Sequence, residues 1–269
     1  MLAQQRQAAI LDRVRAAGGV RVSELATEYG VSDMTIRRDL GLLHGRGLIE
    51  KTHGGAAAVD GSAYEPGFRA KSSLMQLAKA AIARAGSELV EPGSAIALSA
   101  GTTTFALALR LVDVPELTVV TNSIPVADVF HVRGRSDQTI ILTGGLRTPS
   151  DALVGPIAVN AIGSLHVDSV FMGVHGMYRR GFTTPNLLEA ETNRALILAG
   201  RRLIVVADHT KWGVIGISSI APLEQADTLI TDTGLDGVVR EELAAVVNLL
   251  VIDPEVAFAG PVARRSEAG

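Results

Sequence analysis

Apolar residues recur at helical spacing over Gln4–Ala17, where Ile10, Leu11 and Val14 share one face before Gly18-Gly19 ends the run. Leu25 and Ala26 mark a short second helix, Glu24–Tyr29, with Ser23 as its N-cap, and Gly30-Val31 breaks it. Ser32 caps a third helix, Asp33–His44, which stops before Gly45 and Gly47. With Ile36 at zero on a wheel of about 100° per residue, Leu40 and Leu43 fall within about 40° of it and form the buried stripe. Met34 and Arg38 lie opposite, Thr35 and Arg37 on the two flanks, and Gly41 and Gly45 on the outward side. Leu48–Thr52 alternates weakly and reaches Gly54-Gly55, as a hairpin or wing does. Residues 1–58 therefore read as a small head of three helices and a hairpin.

The pattern then changes. Residues 59–73, with Gly61, Ser62, Pro66 and Gly67, read as a linker. From residue 74 an Ala-rich helix, Leu74–Ala85, opens a series in which apolar runs alternate with helical segments. The runs are Ala95–Leu98, Leu117–Val120, Thr139–Leu142, Ser169–Gly173, Leu203–Ala207, Thr228–Ile230 and Leu249–Ile252. Between them stand helices at Thr103–Leu111, Ser123–Val132, Pro156–Leu165, Leu188–Ala199 and Gly237–Ala245. Strands that are apolar throughout, rather than alternating, belong to sheets covered on both faces. The expected fold class is α/β: an N-terminal winged helix-turn-helix and a body (74–260) with a mostly parallel sheet and helices on both faces. Residues 261–269 read as a disordered tail.

Composition narrows this picture. Aromatics make up only 4% of the chain, so the cores must be built mainly from Ala, Val, Leu and Ile. There is no cysteine, hence no disulfide framework or thiolate zinc site, and His131, His166 and His209 do not stand at metal-ligand spacing. No metal or cofactor is expected. No signal peptide and no membrane-spanning apolar run is legible, which makes a cytoplasmic protein the expectation. The net charge of −3 divides unevenly, with +2 on residues 1–58 and −5 on the remainder. A basic head on an acidic body suits a polyanionic partner.

In the head, "VSDMTIRRDL" (Val31–Leu40) carries adjacent arginines that point about 100° apart and cannot clamp one group together. They are either a solvated face or a face presented to DNA. A capped third helix with an outward Ser/Thr/Met/Arg surface, followed by a basic Gly-rich wing (Arg46, Lys51, His53), fits the latter. The stretch "VRVSELATEYGVSDMTIRRDLGLLHGRGLIEKTHGGA" resembles the winged helix-turn-helix of the DeoR family of bacterial transcriptional regulators, in both its "VSxxTIRRDL" core and its trailing "HGGA". The resemblance implies contacts to double-stranded operator DNA from Ser32, Met34, Thr35, Arg37, Arg38, Lys51 and His53. Which arginine meets a base is left open.

In the body, "ALSAGTTTFALALRL" (Ala97–Leu111) is a strand, a Gly/Thr turn and a helix. Such a turn offers backbone N–H groups and hydroxyls to an anion, although Thr102, Thr103 and Thr104 could also serve only as helix caps. Other strand ends carry Thr121-Asn122-Ser123, Gly144-Gly145, and Gly173, His175 and Gly176, while Glu189, Asp208 and Lys211 lie downstream. Ligands of parallel sheets bind at the carboxyl ends of strands, so these loops make a pocket plausible. The segments "AGTTT", "TNS", "TGGLR", "VGPIA", "GVHGM" and "ADHTKWG" resemble the family's effector domain. That domain is similar to sugar-phosphate isomerases such as ribose-5-phosphate isomerase and to glucosamine-6-phosphate deaminase. The resemblance implies a phosphorylated sugar or polyol held by Ser99, Gly101, Thr102, Thr103, Thr104, Asn122, Gly144, Gly145, His175, Gly176, Glu189 and Lys211. One position departs from the pattern: Ser99 stands where the family usually has Asp, which replaces an acceptor-only group with a hydroxyl.

Together these features imply a repressor of sugar or polyol catabolism genes, released from its operator by a phosphorylated sugar, with no enzymatic activity. The alternative is a sugar-phosphate isomerase or deaminase, which needs a carboxylate base beside the substrate carbon. A third reading makes the wing a protein-binding surface, in which case DNA binding would show no salt dependence. Helix-turn-helix readers bind paired half-sites, so a homo-oligomer, dimer or tetramer, is expected.

Overall fold

The computed structural model describes residues 2–17, 19–58 and 67–256. Most of the linker and the C-terminal tail expected from the sequence lie outside the described residues.

The head comprises α1 (Ala3–Ala17), β1 (Gly19–Arg21), α2 (Val22–Tyr29), α3 (Asp33–Gly45), β2 (Ile49–Thr52) and β3 (Gly55–Ala58). Its core joins Ile10, Leu11 and Val14 of α1 to Leu25, Ile36, Leu40 and Leu43, matching the stripe that the periodicity selects. Ser32 caps α3, its Oγ accepting the Thr35 N–H at 3.3 Å. The second helix differs from expectation. It begins at Val22, not Glu24, and Ser23 sits inside its first turn. The reason is β1, a strand too short to show as a pattern, which delivers the chain directly into the helix; the Glu24 carboxylate accepts the Arg21 N–H. β1 also turns the expected hairpin into a three-stranded sheet in the order β1-β3-β2. The two wing glycines have separate reasons. Gly54 takes φ +84° in the hairpin turn, and a Cβ on Gly55 would sit 2.0 Å from the Val20 carbonyl oxygen.

The connecting segment is not wholly irregular: α4 (Phe68–Ser72) forms within it, followed by α5 (Gln76–Ser87). The body then runs β4 (Ala95–Leu98), α6 (Thr102–Leu111), β5 (Thr118–Thr121), α7 (Ile124–Arg133), β6 (Thr139–Leu142), β7 (Leu146–Arg147), β8 (Leu153–Val154) and α8 (Pro156–Ile162). It continues β9 (Ser169–Met172), β10 (Gly176–Tyr178), β11 (Gly181–Thr184), α9 (Leu187–Ala199), β12 (Leu203–Val206), β13 (Ser218–Ala221), β14 (Thr228–Asp232), α10 (Gly237–Ala244) and β15 (Asn248–Ile252).

The seven apolar runs of the sequence become one seven-stranded sheet, ordered β15-β14-β12-β9-β4-β5-β6 and parallel at every pairing. Successive side chains feed opposite layers. Val170, Met172 and Val205 pack with Ala190 and Leu196 of α9, whereas Phe171, Ile204 and Val206 pack with Ile82 of α5 and Leu107 of α6. Both faces are thus covered, which is why the strands carry no polar alternation. Two small antiparallel sheets, β10-β11-β13 and β7-β8, were not expected. The strands of the first are short and rich in Gly, Thr and Ser, and those of the second are only two residues long, so neither shows as an apolar pattern.

Candidate functional site

The outward surface of α3 is the first site. Met34 is 73% exposed, and Arg37 and Arg38 are both exposed, while Ile36 and Leu40 are buried. Ser32, Met34, Thr35, Arg38 and Leu42 share a groove with Ala3 and Arg6 from the start of α1; Arg37 lies on the opposite flank. The wing folds back toward this surface. Lys51 is exposed, and its ammonium lies 3.5 Å from where a Cβ of Gly41 would stand, an ordinary contact distance that places the wing beside α3. His53 is exposed in the wing turn.

Asp39, the other charge of the "RRD" triplet, has a different role. It is buried, with its Oδ2 accepting from Arg6 Nε at 2.6 Å and its Oδ1 from Gln7 Nε2 at 2.9 Å. This ion pair clips α1 to the recognition helix. The wheel could have flagged it, because Asp39 lies beside Leu40 and Leu43 rather than with the arginines.

The second site is a cleft at the carboxyl ends of β4 and β9. It is walled by Gly101, Thr102 and Thr103 at the start of α6, by Gly173, Val174 and His175 after β9, and by Ser150, Thr184, Glu189 and Asn193; Lys71 and Lys211 complete it. Of the twelve residues expected there, Gly101, Thr102, Thr103, His175, Glu189 and Lys211 are brought together. Glu189 is buried, and three hydroxyls donate to it: Thr148 at 2.8 Å, Ser150 at 2.6 Å and Thr184 at 3.3 Å.

The other six stand elsewhere. Ser99 is fully buried, its Oγ accepting the Gly173 N–H at 3.0 Å, so it staples two strand ends behind the cleft. Asn122 likewise holds the loop from behind, accepting the Ala100 N–H at 2.9 Å and donating to the Leu153 carbonyl at 3.2 Å. Thr104 is buried and donates back to the Gly101 carbonyl. Gly144 and Gly145 lead into the β7-β8 hairpin, where a Cβ on Gly145 would stand 2.5 Å from the Val154 carbonyl oxygen. Gly176 belongs to β10 and abuts the Val214 carbonyl. Gly145 and Gly176 satisfy close backbone packing and Gly144 a left-handed φ of +73°, needs that sequence spacing cannot separate from a ligand loop.

Asp208 follows β12 and caps the turn that carries Lys211. Burial opposes its ionisation, yet Lys211 and Lys79 beside it, together with the Thr210 hydroxyl, hold its carboxyl below the usual carboxylate range. Its neighbour His209 donates from Nδ1 to Asp232 Oδ2, 2.6 Å away. Burial lowers the His209 pKa, but the Asp232 hydrogen bond and charge outweigh it and leave the imidazole above its ordinary value. Among the described residues no three His, Cys, Asp or Glu side chains gather to hold a metal ion, and no helix is long and apolar enough to cross a membrane.

A winged helix-turn-helix joined to a parallel α/β body with a polar cleft at its strand ends defines a class: DNA-binding regulators that carry their own sensor domain. Residues 6–61 match the DeoR-like helix-turn-helix domain and residues 75–233 match the DeoR C terminal sensor domain, so the chain belongs to the DeoR family of transcriptional regulators. It is 36% identical to the uncharacterized HTH-type transcriptional regulator YgbI of Escherichia coli K12, over 92% of this chain and 98% of that protein. The HTH-type transcriptional regulator GlpR of Haloferax volcanii is 36% identical over 94% and 98% of the two chains. The glycerol-3-phosphate regulon repressor of Escherichia coli K12 is 33% identical over 85% and 90%. Among solved structures, the translation initiation factor eIF-2B of Pyrococcus horikoshii covers 84% of this chain and 86% of its own at 12% identity and a TM-score of 0.42, too loose a likeness to bear on function.

Proposed function

We propose that this regulator represses genes of sugar or polyol catabolism and leaves its operator when a phosphorylated sugar or polyol occupies the strand-end cleft. The observation that carries the reading is the makeup of that cleft. Gly101, Thr102 and Thr103 at the N-terminus of the ten-residue helix α6 share it with two lysines, Lys71 and Lys211, and with Glu189 and Asn193. Cationic groups and a helix N-terminus suit a phosphate, and the carboxylate and amide suit the hydroxyls of a polyol. One relative is named as the repressor of a regulon for a phosphorylated polyol, glycerol 3-phosphate.

An isomerase reading is weaker. Glu189, the carboxylate in the cleft wall, already accepts from three hydroxyls, Ser99 offers no carboxylate, and Asp208 is held ionised by lysines. A general base for proton abstraction from carbon needs a free carboxylate near its working pKa. The expected setting is the cytoplasm, as a homo-oligomer that spans two half-sites.

The effector acts only if it binds the operator-competent and operator-free states unequally. Thermal-shift screening of the full chain against phosphosugars and phosphopolyols, followed by operator titration with each hit, tests the proposal. A hit should weaken operator binding at least tenfold. A tight-binding phosphosugar that leaves operator affinity unchanged, or turnover of ribose 5-phosphate or glucosamine 6-phosphate, would defeat it.

A further inference from the structure

The cleft is not walled by the sensor sheet alone. Lys71, which lines it, is carried by α4 in the connecting segment. This short helix is docked on the body from three directions. The Phe68 N–H donates to the Pro149 carbonyl at 3.2 Å, and the Phe68 ring meets Phe105 of α6 edge-on, with centroids 5.5 Å apart. The buried Lys79 ammonium donates to the Lys71 carbonyl at 2.7 Å.

Three residues beyond Lys71, the chain touches the other domain: Leu74 packs against the hydrophobic core of the winged head. The next residue, Met75, has φ 50° and ψ 37°, a left-handed backbone at a non-glycine position where the chain turns from α4 into α5. Such a conformation persists only where its surroundings enforce it, and it marks a joint between two packed pieces. One short segment thus contributes a lysine to the cleft wall at one end and an apolar anchor to the head at the other.

We propose that Lys71 is an effector contact supplied by the connecting segment, and that the ligand's anionic group, drawn onto Lys71, shifts α4 and through Leu74 reseats the winged head. The proposal rests on the reading of the cleft as a site for phosphorylated ligands, and it names the element through which that site governs DNA binding. Lysine suits the role because its ammonium is a point charge on a long flexible stem and can follow a ligand while the helix moves. A ligand bound only to the sheet would leave α4 in place. One held jointly by Lys211 and Lys71 stabilises a single placement of α4, which is the differential contact that a population shift requires.

The test uses the full-length chain, an operator selected from random duplexes, and a panel of glycerol 3-phosphate, ribose 5-phosphate, fructose 1-phosphate, glucosamine 6-phosphate and inorganic phosphate. Calorimetric titration gives the ligand Kd, and operator titration with and without ligand gives the coupling factor. Lys71→Met should weaken the best ligand at least tenfold, and Lys71→Arg should restore most of that loss. Leu74→Ala should keep the ligand Kd within about twofold while cutting the coupling factor at least fivefold. Met75→Gly, which frees the joint without deleting the Leu74 anchor, should act in the same direction and serves where Leu74→Ala destabilises the head. Normal ligand affinity in Lys71→Met, or full coupling in both Leu74→Ala and Met75→Gly, overturns the proposal. A wild-type protein that binds none of the panel overturns the ligand reading itself, and this proposal with it.

Discussion

The head and the body each bury a carboxylate next to their site, and they use it differently. In the head, Asp39 lies on the inner side of the recognition helix and meets a guanidinium and an amide, Arg6 and Gln7. In the body, Glu189 lies in the cleft wall and meets three hydroxyls. The first is a structural clip: a desolvated charge whose pairing aligns α1 with α3 while Arg37 and Arg38 stay in solvent. The second faces the space a ligand would enter. DNA is a large, stiff polyanion, so the head can meet it with exposed charges on a convex helix. A small ligand must be surrounded, so the body builds its site from buried polar groups at converging strand ends. The exposed surface of α3 is therefore separate from the head's core, whereas the candidate cleft of the body shares its polar groups with the body's packing.

The sharpest break of this contrast is Asp39→Ala. It leaves Arg6 buried without its carboxylate and should cost about 3 kcal/mol or more. The loss should be confined to the head, and the protein offers an internal reporter. Its single tryptophan, Trp212, lies in the body, so urea unfolding followed by fluorescence should stay near wild type while far-ultraviolet circular dichroism shows an earlier transition. Coincident early transitions would mean that the two regions fold as one unit.

Next in size is Lys211→Met. Loss of its ammonium should weaken phosphosugar binding at least tenfold by calorimetry and raise the Asp208 pKa toward the ordinary carboxylate range. The sign in the wild type follows from the lowered Asp208 pKa: its stabilisation is present above the unfolded value and is lost as pH falls through the lower folded one. The variant should therefore lose stability at neutral pH and differ less from wild type in strong acid.

On the convex surface of the head, Arg37→Ala and Arg38→Ala should each reduce operator affinity by about tenfold, with thermal stability changed by no more than about 0.5 kcal/mol. The two should separate by position. Arg38 shares the groove of Met34 and Thr35, so its loss should relax sequence preference; Arg37 lies outside that groove, so its loss should lower the salt slope and affect all sequences alike. Normal operator binding by both variants would return the pair to a solvated face.

The smallest effect is His209→Gln. The folded His209 pKa is raised, so the stabilisation from its bond to Asp232 is complete below the unfolded value near 6.5 and fades as pH rises through the folded one. The variant should be less stable than wild type by about 1 kcal/mol at pH 6 and nearly equal to it at pH 9, measured by urea unfolding monitored at Trp212.

Much of this molecule is decided by local chemistry. The capping of α3 by Ser32, the inward stripe of Ile36, Leu40 and Leu43, and the seven strands of the parallel sheet follow from periodicity and turn residues, because burial imposes a regular spacing on apolar side chains. The family resemblance is carried by the same local stretches. What the pattern could not separate was the role of polar and glycine residues at strand ends. Ser99, Asn122 and Thr104 read as ligand contacts but spend their hydrogen bonds on the backbone behind the loop. Lys71, in a segment that reads as linker, reaches the cleft only because α4 docks on Pro149 and Phe105. A donor or acceptor has the same sequence signature whether its partner is a ligand or a neighbouring strand. Only the tertiary arrangement fixes which groups are already satisfied, and so which remain to face a ligand.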